Sequence, residues 1–233
     1  MKDECLICGA PLEYLERDTQ LECALCGKKE QGKTRCTAGH YVCSACHTAG
    51  VDAVFALCLK DSRKDPGAIL NTLMDQPFCH MHGPEHQILV GSALLTAYKN
   101  AGGKLDLAAA LAEMRSRGGS VPGGACGFWG ACGAGISAGI FVSIATGATP
   151  LAGEPFALAH QKTAQAQGAI GRVGGPRCCK RDSYLSLQQA VEFAAAHLGV
   201  QMELAPPVCR YFAQNNQCLG RRCPFSPVNA QNP

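Results

Sequence analysis

Two Cys-x2-Cys pairs, Cys5/Cys8 and Cys23/Cys26, stand fourteen residues apart, and each runs into glycine, as CLICG and CALCG. A turn of this length points two thiolates at one ion, and glycine lets the backbone close behind them. Two such knuckles at this separation predict a zinc ribbon whose four sulfurs share one Zn2+. The next stretch, CTAGHYVCSACH, offers a second tetrad of Cys36, His40, Cys43 and Cys46, with His47 competing for the last place. One or two zinc ions are therefore expected, in a structural rather than a chemical role.

The order C-x3-H-x2-C-x2-C is similar to part of the pattern of RING-type and treble-clef modules, which leaves a cross-braced sharing of the ligands open. No further C-x2-C follows, so a ubiquitin ligase is not expected.

A second chemical segment is FCHMHGPEH, Phe78 to His86, with Cys79, His80, His82, Glu85 and His86. Pro84 is expected to open a helix, placing Glu85 and His86 in its first turn beside free backbone N–H groups. Imidazoles and a carboxylate gathered there could bind a metal, hold an anion or move protons. Clustered titratable groups mark sites, so His82, Glu85 and His86 are candidate catalytic residues.

Seven more cysteines lie downstream. Cys126 and Cys132 sit in a repeat of Ala-Cys-Gly with a period of six. Cys178-Cys179 follow in GGPRCCKRDS, and Cys209, Cys218 and Cys223 in CRYFAQNNQCLGRRCPF. Thiolate ligands with a Cys-Pro step suggest an iron–sulfur cluster, of the 4Fe–4S type, although the spacing matches no ferredoxin. The expected ligand set is the three tail cysteines plus Cys178 or Cys179. Cys126 and Cys132 would then handle substrate, or ligate a differently built cluster. From Arg172 onward seven Lys/Arg face three Asp/Glu, and most of the cations adjoin cysteines. Adjacent cations favour thiolate, and Arg177, Lys180 and Arg181 are candidate grips for an anionic substrate.

These residues need a frame, and the composition is that of a folded chain: 47% hydrophobic and 17% charged over 233 residues. Three regions separate. Residues 1–48 hold seven cysteines and two histidines and read as a zinc-binding module. Residues 49–233 read as a helical, Cys-rich core domain whose last part, 205–233, is an irregular tail. Helices are expected over Asp52–Leu59, Pro66–Met74 behind Asp65, from Pro84 to the Gly102-Gly103 stop, Leu105–Arg117, Glu154–Ile170, and Ser183–Gly199 with Asp182 as cap. Strands are expected only as ribbons in the module, because no alternation runs through the rest. The fold class is mainly α.

The charge-free run from Gly118 to Gly153 has the length of a membrane span, but eleven of its 36 residues are glycine. At helical spacing Ala131, Gly135, Gly139, Ser143 and Gly147 form one small face, so a buried helix approached closely by a neighbour is expected instead. Net charge is +3, and residues 1–50 carry six Lys/Arg against seven Asp/Glu, which argues against a nucleic-acid partner. Met1 is followed by Lys2-Asp3-Glu4-Cys5 without an apolar run, so a secretory leader is not expected and a reducing cytoplasm is.

The run of HGPEH, VPGGACGFWGACGAGISAGI, GGPRCCKRDS and the CxxxxCP tail resembles an uncharacterised Cys-rich domain family of anaerobic bacteria and archaea. That domain is often fused to, or encoded beside, methyltransferases that use S-adenosylmethionine. The resemblance spans roughly residues 36–225 and implies a possible methyltransferase partner; the methyltransferase half itself is absent here. There is also a compositional similarity to iron–sulfur serine dehydratases and cysteine desulfidases, whose cluster acts as a Lewis acid. Two functions follow as expectations. One is an iron–sulfur enzyme on a small anionic or sulfur-containing substrate, working by lyase, desulfidase or sulfur-transfer chemistry. The other is a non-enzymatic metal-binding accessory to a methyltransferase.

Overall fold

The computed structural model describes residues 5–230; residues 1–4 of the expected module and 231–233 of the expected tail lie outside it. The chain is mainly helical, and the one sheet among the described residues is a two-stranded antiparallel ribbon, β1 (Leu12–Glu22) with β2 (Lys29–Cys36). Leu12 pairs with Cys36 at the open end and Glu22 with Lys29 at the turn, with a register break between Tyr14 and Thr19. The turn of this ribbon is the Cys23/Cys26 knuckle. Beyond β2 the chain doubles back, and Tyr41 forms a parallel bridge with Cys23. A short helix α1 (Ser44–His47) leads into the body.

The body contains α2 (Asp52–Lys60), α3 (Pro66–Met74), α4 (His86–Asn100), α5 (Leu107–Gly119), α6 (Ala125–Phe128), α7 (Gly133–Thr146), α8 (Glu154–Val173), α9 (Cys179–Leu198) and α10 (Pro227–Ala230). Local chemistry sets several of the ends. Asp65 accepts from the N–H groups of Gly67 and Ala68 at 2.7 and 3.1 Å, with Pro66 at the first helical position. Asp106 caps α5 through Ala109 N–H at 3.0 Å. Gly147 and Gly199 end α7 and α9 with φ of +65° and +66°, a backbone that residues with a Cβ adopt only under strain.

Helix α4 is the axis of the core. Its residues from His86 to Tyr98 are all buried, and α3, α5, α7 and α9 pack around it. A helix apolar on every side belongs at such a centre. The glycine-rich stretch forms α7, and its small face meets α8. A Cβ on Gly135 would sit 2.9 Å from Gln167 Nε2, and one on Gly139 would strike Thr163. The expected close approach is therefore real and lies between α7 and α8. Among the described residues no helix is long and apolar enough to cross a membrane. The tail lies along the body: Glu203 N–H bonds Lys64 O at 3.0 Å, and Tyr211 Oη bonds Asp75 Oδ1 at 2.8 Å.

Two expected helix starts are corrected. α4 begins at His86 rather than Pro84, with Glu85 before it turned inward instead of capping. α9 begins at Cys179, a full turn before Ser183. Asp182 does not cap it, because its carboxylate is taken by Arg181 Nε at 2.8 Å and by the Cys132 thiol at 3.8 Å.

Candidate metal centres

The N-terminal ligands assemble in two groups, but not in sequence order. One is Cys5, Cys8, Cys36 and His40; the other is Cys23, Cys26, Cys43 and Cys46, each with its ligand atoms within 4.8 Å of one another. The pairing of Cys5/Cys8 with Cys23/Cys26 is thereby corrected, and the interleaved arrangement is the one present. The ribbon is the reason. Its register puts Cys36 opposite Leu12, next to the first knuckle, while the second knuckle is the hairpin turn at the other end. His40 Nδ1 lies 3.3 Å from Cys8 Sγ and 3.6 Å from Cys36 Sγ. Cys26 and Cys43 sulfurs are 3.7 Å apart. Tetrahedral ligands around one ion at about 2.3 Å fall at separations of this order. Backbone donors prepare the thiolates. Against its burial, N–H groups of Cys43, Leu25 and Cys26 bring Cys23 down to about 6. Against its burial, His40 N–H and the Cys5 thiol help bring Cys36 to about 7.

His47 belongs to neither group. It turns into the body, where Nδ1 lies 3.1 Å from Glu85 Oε2. Glu85 is fully buried, and its Oε1 accepts His80 N–H at 2.7 Å. Burial works against its charge, but the His47 and His80 groups beside it hold the carboxyl far below the usual range. His86 points Nδ1 at Gly83 O, 3.1 Å away, and Nε2 at Cys79 Sγ, 3.8 Å away. Burial and then the Lys180 charge push His86 down to about 3, so it is neutral. Among the described residues, His47/His80/Glu85 and Cys79/Glu85/His86 each converge closely enough to hold an ion.

The tail cysteines meet Cys178. Cys178, Cys209, Cys218 and Cys223 all line one small cavity, together with Arg181 and Asn215. Backbone N–H groups point at these sulfurs: Gly220 at Cys218 at 3.4 Å, Tyr211 and Phe212 at Cys209, and Phe225 at Cys223. Asn215 Nδ2 reaches Cys178 Sγ at 3.6 Å. Burial pushes the Cys178 thiol up to about 11, and raises Cys209 and Cys223, so metal binding here must release protons. No three of the four sulfurs meet within the 4.8 Å that contains each N-terminal group.

A much larger cavity of about 1030 Å3 lies between ribbon and body. His82, His86, Cys126, Cys132, Arg177 and Arg181 line it, as do Cys179 and Asp182. Most of the sequence-expected catalytic and anion-binding residues thus share one chamber. Two do not line it. Glu85 lies behind its wall, and Lys180 is buried with Nζ 3.1 Å from Cys79 Sγ and 4.8 Å over the Tyr211 ring. The helix start explains the division of the vicinal pair: Cys178, before α9, faces the tail cavity, and Cys179, its first residue, faces the chamber. A hydrogen-bonded chain links the two spaces. His82 Nδ1 accepts Cys179 N–H at 3.4 Å, its Nε2 bonds Asn215 Oδ1 at 3.4 Å, and Asn215 bonds Cys178. Asn215 and Asp182 are participants that carried no spacing signal; His47 carried one only as a rival to Cys46.

The fold and these sites define a mainly helical protein with cysteine clusters that could hold metal ions. The chain belongs to the DUF5714 family, a family of unknown function, whose match covers residues 54–226. No curated protein and no solved structure matches it.

Proposed function

We propose that this chain is an iron–sulfur enzyme that also carries two structural zinc ions, and that it acts on a small anionic or sulfur-containing substrate in the 1030 Å3 chamber. The observation that carries the reading is that Cys178, Cys209, Cys218 and Cys223 line one cavity of about 20 Å3, which would have to widen to take a cluster. A cubane binds each cysteine at a different corner, so its sulfurs stand wider apart than ligands of a single ion. These four sulfurs form no group within 4.8 Å, unlike the compact N-terminal groups, whose thiolate and imidazole sets suit Zn2+ in a ribbon or treble-clef-like module. N–H donors to the sulfurs are the means by which a protein tunes such a cluster.

Four thiols leave no iron open, which favours electron or sulfur transfer over a lyase mechanism at this cluster. Cys179 and the His82–Asn215 chain join the tail cavity to the chamber. Arg181 lies against both spaces, and its buried Nη1 has no protein partner, leaving one charge-assisted donor for a substrate anion. Cys126, Cys132 and Cys179 supply chamber thiols, and His82 supplies an imidazole for proton movement. The cluster and the reduced thiols fit a reducing cytoplasm and the anaerobic setting of the family the sequence resembles. An accessory role beside a methyltransferase would leave the thiols, imidazoles and arginines of this open chamber without use.

Anaerobic isolation with iron, zinc and acid-labile sulfide analysis and visible absorption tests the proposal. Zinc alone, with neither iron nor sulfide after anaerobic reconstitution, overturns it.

A further inference from the structure

We propose that His47, His80 and Glu85 form a further site for a divalent transition-metal ion, separate from the cysteine groups and just behind the chamber wall. Three observations carry it. The ligand atoms of these residues all lie within 4.8 Å of one another, with His47 Nδ1 3.1 Å and His80 Nδ1 3.5 Å from the Glu85 oxygens. His47 Nδ1, His80 Nδ1 and Glu85 Oε2 are buried and make no well-oriented hydrogen bond, although His47 Nδ1 and Oε2 lie 3.1 Å apart. A buried carboxylate oxygen and two buried imidazole nitrogens left unsatisfied in one spot are costly unless something bridges them. Finally, the Glu85 carboxylate is already oriented toward such an ion. Its Oε1 is held by His80 N–H at 2.7 Å, which leaves Oε2 to coordinate. Gly83 makes room for that carboxylate, because a Cβ there would lie 2.6 Å from Oε1.

The donor set selects the ion class. Two imidazoles and one carboxylate are the ligands of hydrolytic zinc and of non-haem iron(II), both with positions left open. His47 and His80 line the chamber while their ligand atoms are buried, so the ion would sit just behind the chamber wall. Glu85 also neighbours Cys79 and His86, but the Lys180 ammonium sits 3.1 Å from Cys79 Sγ. A cation on that side would meet it at close range, so the ion sits on the His47/His80 side. Because His47 comes from α1 and Glu85 from the start of the body, the ion would also clasp the N-terminal module to the core. A Lewis acid at the chamber wall is independent of the iron–sulfur reading.

Loading the full-length metal-free chain with 113Cd2+ and recording its NMR spectrum tests this. Thiolate-bound cadmium resonates far downfield of cadmium held by nitrogen and oxygen. The wild type should show one upfield resonance besides the downfield ones, and Glu85→Gln should lose it while the downfield set remains. Should Glu85→Gln fail to fold, His80→Asn, at a more exposed ligand, gives the same readout. Absence of the upfield resonance in the wild type, or its survival in either folded variant, overturns the site. Neither outcome depends on whether iron is present.

Discussion

The interleaved ligand pairing makes a prediction that the order of the cysteines alone would reverse. Consider Cys5→Ser, Cys23→Ser and Cys36→Ser, singly and in pairs. Cys5 and Cys36 share one group, and Cys23 belongs to the other. Each single variant should therefore lose one bound ion from the module. Cys5→Ser with Cys36→Ser should still lose one, and Cys5→Ser with Cys23→Ser should lose two. Pairing in sequence order gives the opposite result for both doubles. The magnitude is large, because a structural zinc contributes roughly 10–16 kcal/mol of apparent binding free energy. Loss of one ion need not release the other. The groups clamp opposite ends of the ribbon, Leu12/Cys36 at one and the Glu22–Lys29 turn at the other, and the ladder between them is hydrogen-bonded. Metal counting by mass spectrometry of the native protein, with chelator competition, reads the stoichiometry directly. Loss of two ions in Cys5→Ser with Cys36→Ser, together with loss of one in Cys5→Ser with Cys23→Ser, would refute the arrangement.

Lys162 is fully buried, bonded at 2.9 Å to Gln165 Oε1, and burial pushes it down to about 7. Its folded value lies below its unfolded one near 10.5, so the folded state binds fewer protons between those values and stability rises with pH across that window. Lys162→Met should flatten this rise and stabilise the protein at pH 7 and below by a few kcal/mol, because each tenfold loss of proton affinity is worth about 1.4 kcal/mol. Parallel urea titrations of both proteins from about pH 6.5 to about 10 check it. Asp65 caps α3 and also accepts Ala205 N–H at 3.1 Å, tying the tail to the body. Asp65→Ala should cost about 1–2 kcal/mol in urea unfolding, with the slope unchanged.

How much of this could be read from the chain varies with the physics involved. The helices carry their own boundaries where a cap is local, as at Asp65 and Asp106 with Gly147 and Gly199 as stops. Asp182 looks equally like a cap, but its carboxylate is spent on Arg181 and Cys132, partners distant or unmarked in sequence. That the three tail thiols and one of the vicinal pair lie around one cavity accords with the set the sequence suggested. Which of the pair faces that cavity depends on where α9 starts. Ligand sharing in the module was not legible, since two identical C-x2-C knuckles can share an ion either way until the ribbon register chooses. His47 was hidden for a related reason: it follows Cys46 directly, and a helix turns consecutive side chains to different sides. Lys180 sits in a basic run that reads as a solvated face, while α9 buries it against Cys79.

The most direct test of the central claim is iron and acid-labile sulfide per chain in anaerobically reconstituted wild type, Cys223→Ser and Cys179→Ser. About four irons with matching sulfide are expected in the wild type, as for one 4Fe–4S cluster. They should fall sharply in Cys223→Ser, whose thiol lines the tail cavity, and persist in Cys179→Ser, whose thiol faces the chamber. A wild type without iron, or iron lost with Cys179 and kept without Cys223, would contradict the account.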